Sequence, residues 1–360
     1  MKAPAVAFIL LFAALVAASP LQNGSKRLIL TSENSAAVWL SEEEVWKLIE
    51  SNQRFIDITG QPEVPILNAH QTKAIPTTLQ FQSVVSQLVG NIDRSRVEQF
   101  VTDFSSYSTR YYRSETGEAS QKWLLSQVQS SLSGYAGVSS VEEFEHAFPQ
   151  KSIIARLEGA DSVLQTEVVI LGAHQDSINL RGITLPAPGA DDNASGSVVV
   201  LETLRLLVAS GIIPRRTIEF HWYAAEEVGL VGSGLIATKY NTDKVNVVGM
   251  VNFDVPGYQA AGINDIGVYT DNVSPELTDF IRILIDEYCD YGRRDGRCGY
   301  ACSDHASFTR NGFPSAFPAE VQFHPQMHSE QDSFQNVGFI QVVEFIKLGV
   351  GFAVEFGEPI

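Results

Sequence analysis

Positive charge is scarce in this chain of 360 residues: 25 lysines and arginines stand against 42 aspartates and glutamates, for a net charge of −17 and a pI near 4.8. Such a surface repels phosphate backbones and anionic lipid headgroups, so no nucleic-acid partner and no membrane partner is expected, and steering favours cationic or N-terminally charged partners. Cysteine is scarce too, with three residues, enough for one disulfide and a thiol left over. After the first residues no stretch is long and apolar enough to span a bilayer. There is no internal repeat or low-complexity tract. Neither a His-Glu-x-x-His helix nor a Gly-x-Ser-x-Gly elbow occurs, which removes the hydrolase classes those motifs mark. The hydrophobic content of 44% is ordinary for a globular chain with a sizeable core.

The N-terminus runs Met1-Lys2, then an apolar block from Ala5 to Val16, closing in Val16-Ala17-Ala18 with small residues where a signal peptidase reads. A membrane anchor is the competing reading, but the block falls short of the roughly 20 residues a span requires. The expectation is a signal peptide over residues 1–18 and a secreted, extracellular protein. In that setting the sequons at Asn23 and Asn272 are glycosylation candidates. A third, at Asn193, lies inside a stretch of acidic residues discussed below and is expected to stay unmodified.

Residues 19–78 have a separate texture. Ser41-Glu42-Glu43-Glu44 is a capping box opening a short helix with Val45, Trp46, Leu48 and Ile49; Phe55-Ile56-Asp57-Ile58-Thr59 and prolines at 62, 65 and 76 follow. The segment reads either as the first layer of the domain or as a removable propeptide, and the secretory context favours the propeptide. From Leu79 to residue 360 helices are expected around Gln82 to Leu88, Arg94 to Phe104, Ala119 to Leu132, Ser195 to Ala209, Glu276 to Tyr288 and Gly338 to Phe352. Strands are expected at Glu167 to Leu171, Thr217 to Phe220 and Val245 to Val251. This alternation predicts one α/β domain with a mixed, largely parallel central sheet flanked by helices.

Just past those apolar, β-branched runs come the chemically active residues. His174-x-Asp176, Asp191-Asp192, Glu226-Glu227, Asp254 and His328 supply histidine nitrogen and carboxylate oxygen, the donors zinc accepts. An open α/β sheet gathers such residues at the carboxyl ends of its strands. Acids set among small and apolar residues, as in Ala224-Ala225-Glu226-Glu227, need partners if buried. Spacing alone does not choose between Asp191 and Asp192, or between Glu226 and Glu227.

Several long motifs occur in order: His174-Gln175-Asp176-Ser177, Pro188-Gly189-Ala190-Asp191-Asp192-Asn193-Ala194-Ser195-Gly196, Tyr223-Ala224-Ala225-Glu226-Glu227-Val228-Gly229-Leu230 and Cys298-Gly299-Tyr300-Ala301-Cys302-Ser303-Asp304-His305. Together they resemble the co-catalytic zinc aminopeptidases, nearest to the fungal secreted leucine aminopeptidases. The resemblance runs from about Leu79 to the C-terminal region and implies a zinc-exopeptidase domain with two Zn2+ per chain, acting as a monomer on peptides with free N-termini and large apolar first residues. It implies that Asp192 bridges the metals, that Asp254 shares one zinc with His174 and that Glu227 shares the other with His328. Glu226 falls at the general-base position, Asp176 at the residue that orients the histidine ligand, and Asp192-Asn193 at a cis peptide bond. Two departures lie on the substrate side: Val255-Pro256 follows Asp254 where a Met-Thr type of pair is usual, and the loop from Glu320 to His328 is shorter than in bacterial relatives.

Cys298 and Cys302, three residues apart in a secreted chain, read as a disulfide fixing Tyr300 against the site, with Cys289 as a thiol near a helix end. The alternative, a structural zinc site with His305, lacks a fourth ligand. Of His324 and His328, the motif Met327-His328-Ser329-Glu330-Gln331-Asp332 selects the second; His70, His146, His221 and His305 read as non-ligands. Val255, Tyr269, Tyr300 and Phe317 are the candidates for an apolar substrate pocket. Two other functions share this fold in the resemblance: glutaminyl cyclases, acyltransferases with a single zinc, and non-catalytic ectodomains that have lost a ligand or the base. Intact His174-x-Asp176 and Glu226-Glu227 weigh against both.

Overall fold

The computed structural model describes residues 26–32, 35–61 and 75–360; the leader at 1–18, Asn23 and His70 lie outside the described residues. Ahead of residue 62, β1 (Lys26–Leu30), β2 (Val38–Ser41), α1 (Glu42–Glu50) and β3 (Ile56–Asp57) form a small unit whose antiparallel sheet has the order β2-β1-β3. The capping box forms: Ser41 Oγ accepts the Glu44 amide at 3.2 Å, and Glu44 Oε2 accepts the Ser41 amide at 2.7 Å.

Three helices follow, α2 (Gln82–Val89), α3 (Arg94–Phe104) and α4 (Glu115–Leu132), before the chain enters the sheet through β4 (Ser139–Phe144) and β5 (Ser152–Leu157). Strands and helices then alternate: β6 (Glu167–His174), α5 (Gly196–Ser210), β7 (Thr217–Tyr223), α6 (Val231–Asp243), β8 (Asn246–Asn252) and β9 (Asp265–Tyr269). The domain closes with α7 (Pro275–Tyr288), β10 (Gly292–Gly296), α8 (His305–Arg310), β11 (Ser315–Glu320) and α9 (Phe339–Gly357). The expected helices are present within a few residues of their sequence boundaries. The eight strands order as β10-β9-β11-β8-β6-β7-β5-β4. Its centre, β11-β8-β6-β7, is parallel, while β4, β5 and the β9–β11 pairing are antiparallel, so the sheet is mixed as expected.

Burial explains why β6 reads as an unbroken apolar run. Val169, Leu171 and Ala173 point into the main core with Val199 of α5 and Phe345 of α9, whereas Val168 and Ile170 point to the opposite face with Ile236 of α6 and Phe308 of α8. Alternate side chains leave a strand on opposite faces, and helices cover both. Register aligns the strand ends: His174, last in β6, pairs with Tyr223, last in β7, and Gly172 pairs with Asn252, last in β8. Three carboxyl ends therefore open at one edge of the sheet. The buried Glu355 of α9 accepts the amides of Gln80 and Phe81 at 2.8 and 3.0 Å, tying the start of α2 to the closing helix. Among the described residues no helix is long and apolar enough to cross a membrane.

Candidate metal centre

His174 ends β6, Glu226 and Glu227 follow β7, Asp254 follows β8, Asp192 precedes α5 and His328 lies in the loop beyond β11. These separate stretches converge. His174 Nε2 is 3.0 Å from Asp192 Oδ1 and 3.0 Å from Asp254 Oδ1, and His328 Nε2 is 2.9 Å from Asp192 Oδ2 and 3.0 Å from Glu227 Oε2. The result is two groups, His174–Asp192–Asp254 and Asp192–Glu227–His328, with one carboxylate common to both. Each oxygen of Asp192 faces a different histidine, the geometry a bridging ligand needs.

The donor chemistry fits zinc: each group presents one imidazole nitrogen and two carboxylate oxygens, leaving a position open for water. Charge balance argues the same way. Asp176, Asp192, Glu227, Asp254 and Asp332 are buried or nearly so, and Arg110 is the buried cation whose field Asp332, Asp192, Asp176 and Glu227 share. Buried carboxylates in excess of their cations demand neutralisation, which divalent metal supplies. Burial by itself favours neutral imidazoles, yet Asp254 and Glu226 hold His174, and Glu227 and Asp192 hold His328, well above the ordinary histidine range.

The structure separates the neighbouring acids that spacing left open. Asp191 turns away from both groups: its Oδ1 accepts the amides of Gly257 and Tyr258 at 2.7 and 3.1 Å, and Glu320 Oε2 accepts the same Tyr258 amide at 2.9 Å. Glu226 stands beside the groups without belonging to either. Burial pushes its carboxyl well above the ordinary range, with His174 opposing and Asp254 and Asp304 adding to the rise. The Asp192–Asn193 peptide is cis. Asn193 is fully buried, its Nδ2 donating to Phe253 O at 3.0 Å and its Oδ1 accepting the Gly196 amide at 2.9 Å, so that sequon is closed to modification.

Asp176 does more than orient a histidine. Its backbone oxygen lies 3.2 Å from His174 Nδ1, while its two carboxylate oxygens accept the amides of Glu226 and Glu227 at 3.0 and 3.2 Å. One aspartate thereby fixes the His174 ring and the backbone of the acidic pair that follows β7.

Three further residues shape the site and were not assigned from sequence. Ser303 Oγ donates to Asp254 Oδ2 at 2.6 Å and accepts from Asn252 Nδ2 at 2.8 Å. Asp332 accepts the amides of Asp191 and Asp192 at 2.8 and 3.0 Å. Both sit inside quoted motifs, which was the available signal. Arg110 had none: fully buried, it donates to Gln175 O and Gly189 O at 2.9 Å each, and also to Pro188 O. It thus clamps the end of β6 to the loop that delivers Asp192. Gly189 is obligatory in that loop, with φ +54° and space for a Cβ only 2.3 Å from Asp192 O.

Over the metal groups lies a cavity of about 400 Å³. Val255, Phe317, Phe323 and Met327 give it an apolar wall and Tyr300 a phenol. Tyr269 is corrected to a supporting place: it stacks behind Phe317 and Phe323, at 5.1 and 5.4 Å between rings, and is not on the cavity wall. Cys298 and Cys302 are disulfide-bonded, and His305 stacks flat on Phe317 at 4.5 Å, so no structural zinc site forms there. Cys289 caps the C-terminus of α7, its thiol directed at Glu344 O. His324 reaches the cavity but packs edge-on against Tyr258 and joins neither group.

The profile of peptidase family M28 matches residues 152–345. The chain belongs to that family. Leucine aminopeptidase 1 of Arthroderma gypseum is 39% identical over 360 residues, covering 95% of each chain. Among solved structures, the aminopeptidase LapA of Legionella pneumophila superposes with a TM-score of 0.80 at 26% identity, covering 92% of this chain and 94% of its own. That coverage is more than residues 79–360 could supply, so the likeness extends into the N-terminal unit. A glutaminyl cyclase of Bacteroides thetaiotaomicron shares the fold alone, at 15% identity and a TM-score of 0.57 over 72% of this chain and 97% of its own. The family match spans His174, Asp192, Glu226, Glu227, Asp254 and His328, the residues the geometry has already brought together.

The N-terminal unit is part of the site's surroundings, which sequence reading did not foresee. Asn52, Gln53, Arg54 and Phe55 line the cavity, and the Arg54 guanidinium lies 4.4 Å over the Tyr300 ring. Arg27 is buried against Asp57 at 2.6 Å and donates to Val228 O, one residue past Glu227.

Proposed function

We propose that this chain is a secreted zinc aminopeptidase that removes large apolar residues from the N-termini of peptides. The observation that carries the reading is the pair of histidine–carboxylate groups sharing Asp192 on the floor of an apolar-walled cavity, with the unliganded Glu226 beside them. Two zinc ions, one held by His174, Asp192 and Asp254 and the other by Asp192, Glu227 and His328, would polarise the scissile carbonyl and acidify the attacking water.

This chain's own residues do the remaining work. Glu226 takes the proton from the attacking water and returns it to the leaving amine, the role open to a carboxylate that stands beside both groups and belongs to neither. Tyr300 keeps its phenolic proton, because burial pushes it up to about 12 despite Arg54, and donates it in a hydrogen bond to the oxyanion. Asp176 holds the Glu226–Glu227 backbone still while the proton moves. The first side chain of the peptide packs on Val255, Phe317, Phe323 and Met327, and the α-amino group is drawn to the acidic floor.

Residues 19–78 act as a propeptide in this reading. Support comes from Asn52–Phe55 lining the cavity and from Arg54 over the group assigned to the oxyanion. N-terminal sequencing of active protein should give a start near residue 79; a start near residue 20 would make the segment part of the working enzyme. The activity itself is tested on aminoacyl chromogenic substrates: leucyl substrate should be cleaved, cleavage should cease on chelation and return with zinc. Cyclisation of N-terminal glutamine without hydrolysis would overturn the reading.

A further inference from the structure

A second cavity, of about 690 Å³, lies outside the metal pocket, between the N-terminal unit and the Cys298–Cys302 hairpin. Arg54, Arg297 and Arg310 line it. Elsewhere in this acidic chain arginines are mostly ion-paired, as Arg215 is with Asp161 and Glu358 and Arg282 with Asp279 and Asp295. These three are different. Arg297 Nε reaches Thr270 Oγ1 at 3.4 Å, Arg310 Nη1 reaches Gln61 Oε1 at 3.4 Å and Arg54 lies on Tyr300; among the described residues none has a carboxylate partner. The single acid on the cavity wall, Asp271, is turned to the hairpin, its oxygens accepting the amides of Cys298 and Gly299 at 3.1 and 2.5 Å. Unpaired guanidiniums converging on one hollow create a local positive potential against a net charge of −17.

The two cavities meet at Arg54, Phe55, Tyr300 and Ala301. Tyr300 is where the scissile bond lies in the aminopeptidase reading, on which this inference rests. Because Tyr300 and Ala301 line both cavities, a peptide continuing past Tyr300 enters the hollow that the arginines line. We propose that Arg297 and Arg310 form a subsite for the leaving part of the substrate and select peptides carrying carboxylates two to four residues beyond the cleaved bond. Arg297, Arg310 and Tyr300 belong to the domain, so with the N-terminal unit removed the subsite is an open groove along the hairpin; Arg54 adds a third cation, and its unit a second wall, only while that unit is in place. The carboxylate can be an aspartate or glutamate side chain or the free C-terminus of a short peptide. Guanidinium suits both, since its planar fork matches a carboxylate.

The test compares leucyl peptide amides that differ only at the third and fourth positions, two aspartates against two lysines, using active, zinc-loaded enzyme. At low salt kcat/KM should favour the aspartyl peptide by about tenfold, and salt near half molar should shrink the ratio. A tripeptide with a free C-terminus set against its amide reads the terminal carboxylate separately. Arg297→Gln and Arg310→Gln should each lower the aspartyl preference by roughly threefold, and the double charge reversal Arg297→Glu/Arg310→Glu should invert it. Turnover of a leucyl anilide, which ends before this cavity, should be unchanged in all three variants. Wild-type enzyme blind to charge, or a preference surviving in the charge-reversed variant, overturns the subsite. Failure of wild-type protein to cleave the leucyl anilide overturns the aminopeptidase reading, and the subsite with it.

Discussion

The floor and the roof of the metal pocket are built in different ways. The floor belongs to a domain with a continuous interior, in which β6 is covered on both faces and His174, Glu227 and Asp254 sit at or just past strand ends whose register is fixed by their neighbours. The roof comes from the N-terminal unit, whose buried Ile29, Val45 and Ile49 share one cluster with Tyr111, Ile178, Ala225 and Val228 of the domain. The residues of the two groups all come from the domain, whereas the wall over them is shared with the N-terminal unit. A rigid site under a borrowed cover is an arrangement in which chemistry and access can change independently.

The largest effect should come from the floor. Glu226→Ala should keep both metals and a normal fold but lose turnover by a factor on the order of 10² to 10⁴, with substrate binding less affected. Its neighbour separates the roles, since Glu227→Ala should lose metal before it loses chemistry. An active Glu226→Ala enzyme together with a metal-replete, inactive Glu227→Ala enzyme would exchange the two assignments. Steady-state kinetics with metal analysis on both variants decides between them.

Arg110 tests whether the floor is held by hydrogen-bond geometry or by charge. Lysine keeps the cation but cannot reach the oxygens of Gln175, Pro188 and Gly189 together. Arg110→Lys should therefore weaken zinc by about 10- to 100-fold in chelator competition, while kcat at saturating zinc stays within a few-fold of wild type. An unchanged zinc affinity would show that the positive charge alone is what the site uses.

The smallest effect concerns the roof. Arg54→Ala in the full chain removes a cation–π contact worth about 0.5–1 kcal/mol, so leucyl-anilide turnover should rise by roughly two- to fivefold. In a mature form that starts near residue 79, as proposed, the same substitution would have no effect. A fall in activity would instead make Arg54 part of the working site.

The same contrast governs what could be read from sequence. β6, β7 and β8 announced themselves because strands buried on both faces are apolar throughout, and the ligand-bearing motifs directly follow them. Choosing Asp192 over Asp191 required either the family resemblance or the coordinates, because adjacent residues look alike until the chain turns: Asp191 goes to the Gly257 and Tyr258 amides and Asp192 to the histidines. Arg110 was illegible. Its partners are backbone carbonyls up to 79 residues away, and carbonyls carry no sequence signature. The N-terminal unit was legible as a helix with a capping box but not as a lid, because its contacts with Tyr300 and Val228 cross some 200 residues or more of chain.

Zinc stoichiometry tests the central claim, that Asp192 joins two metal sites into one. Zinc per chain should be measured on purified wild-type protein and on Asp192→Ala after equilibration against limiting free zinc. The account predicts two zinc ions per wild-type chain at full activity and loss of both in the variant, since each site would lose a ligand. Full activity with a single zinc, or two zinc ions retained by Asp192→Ala, would contradict it.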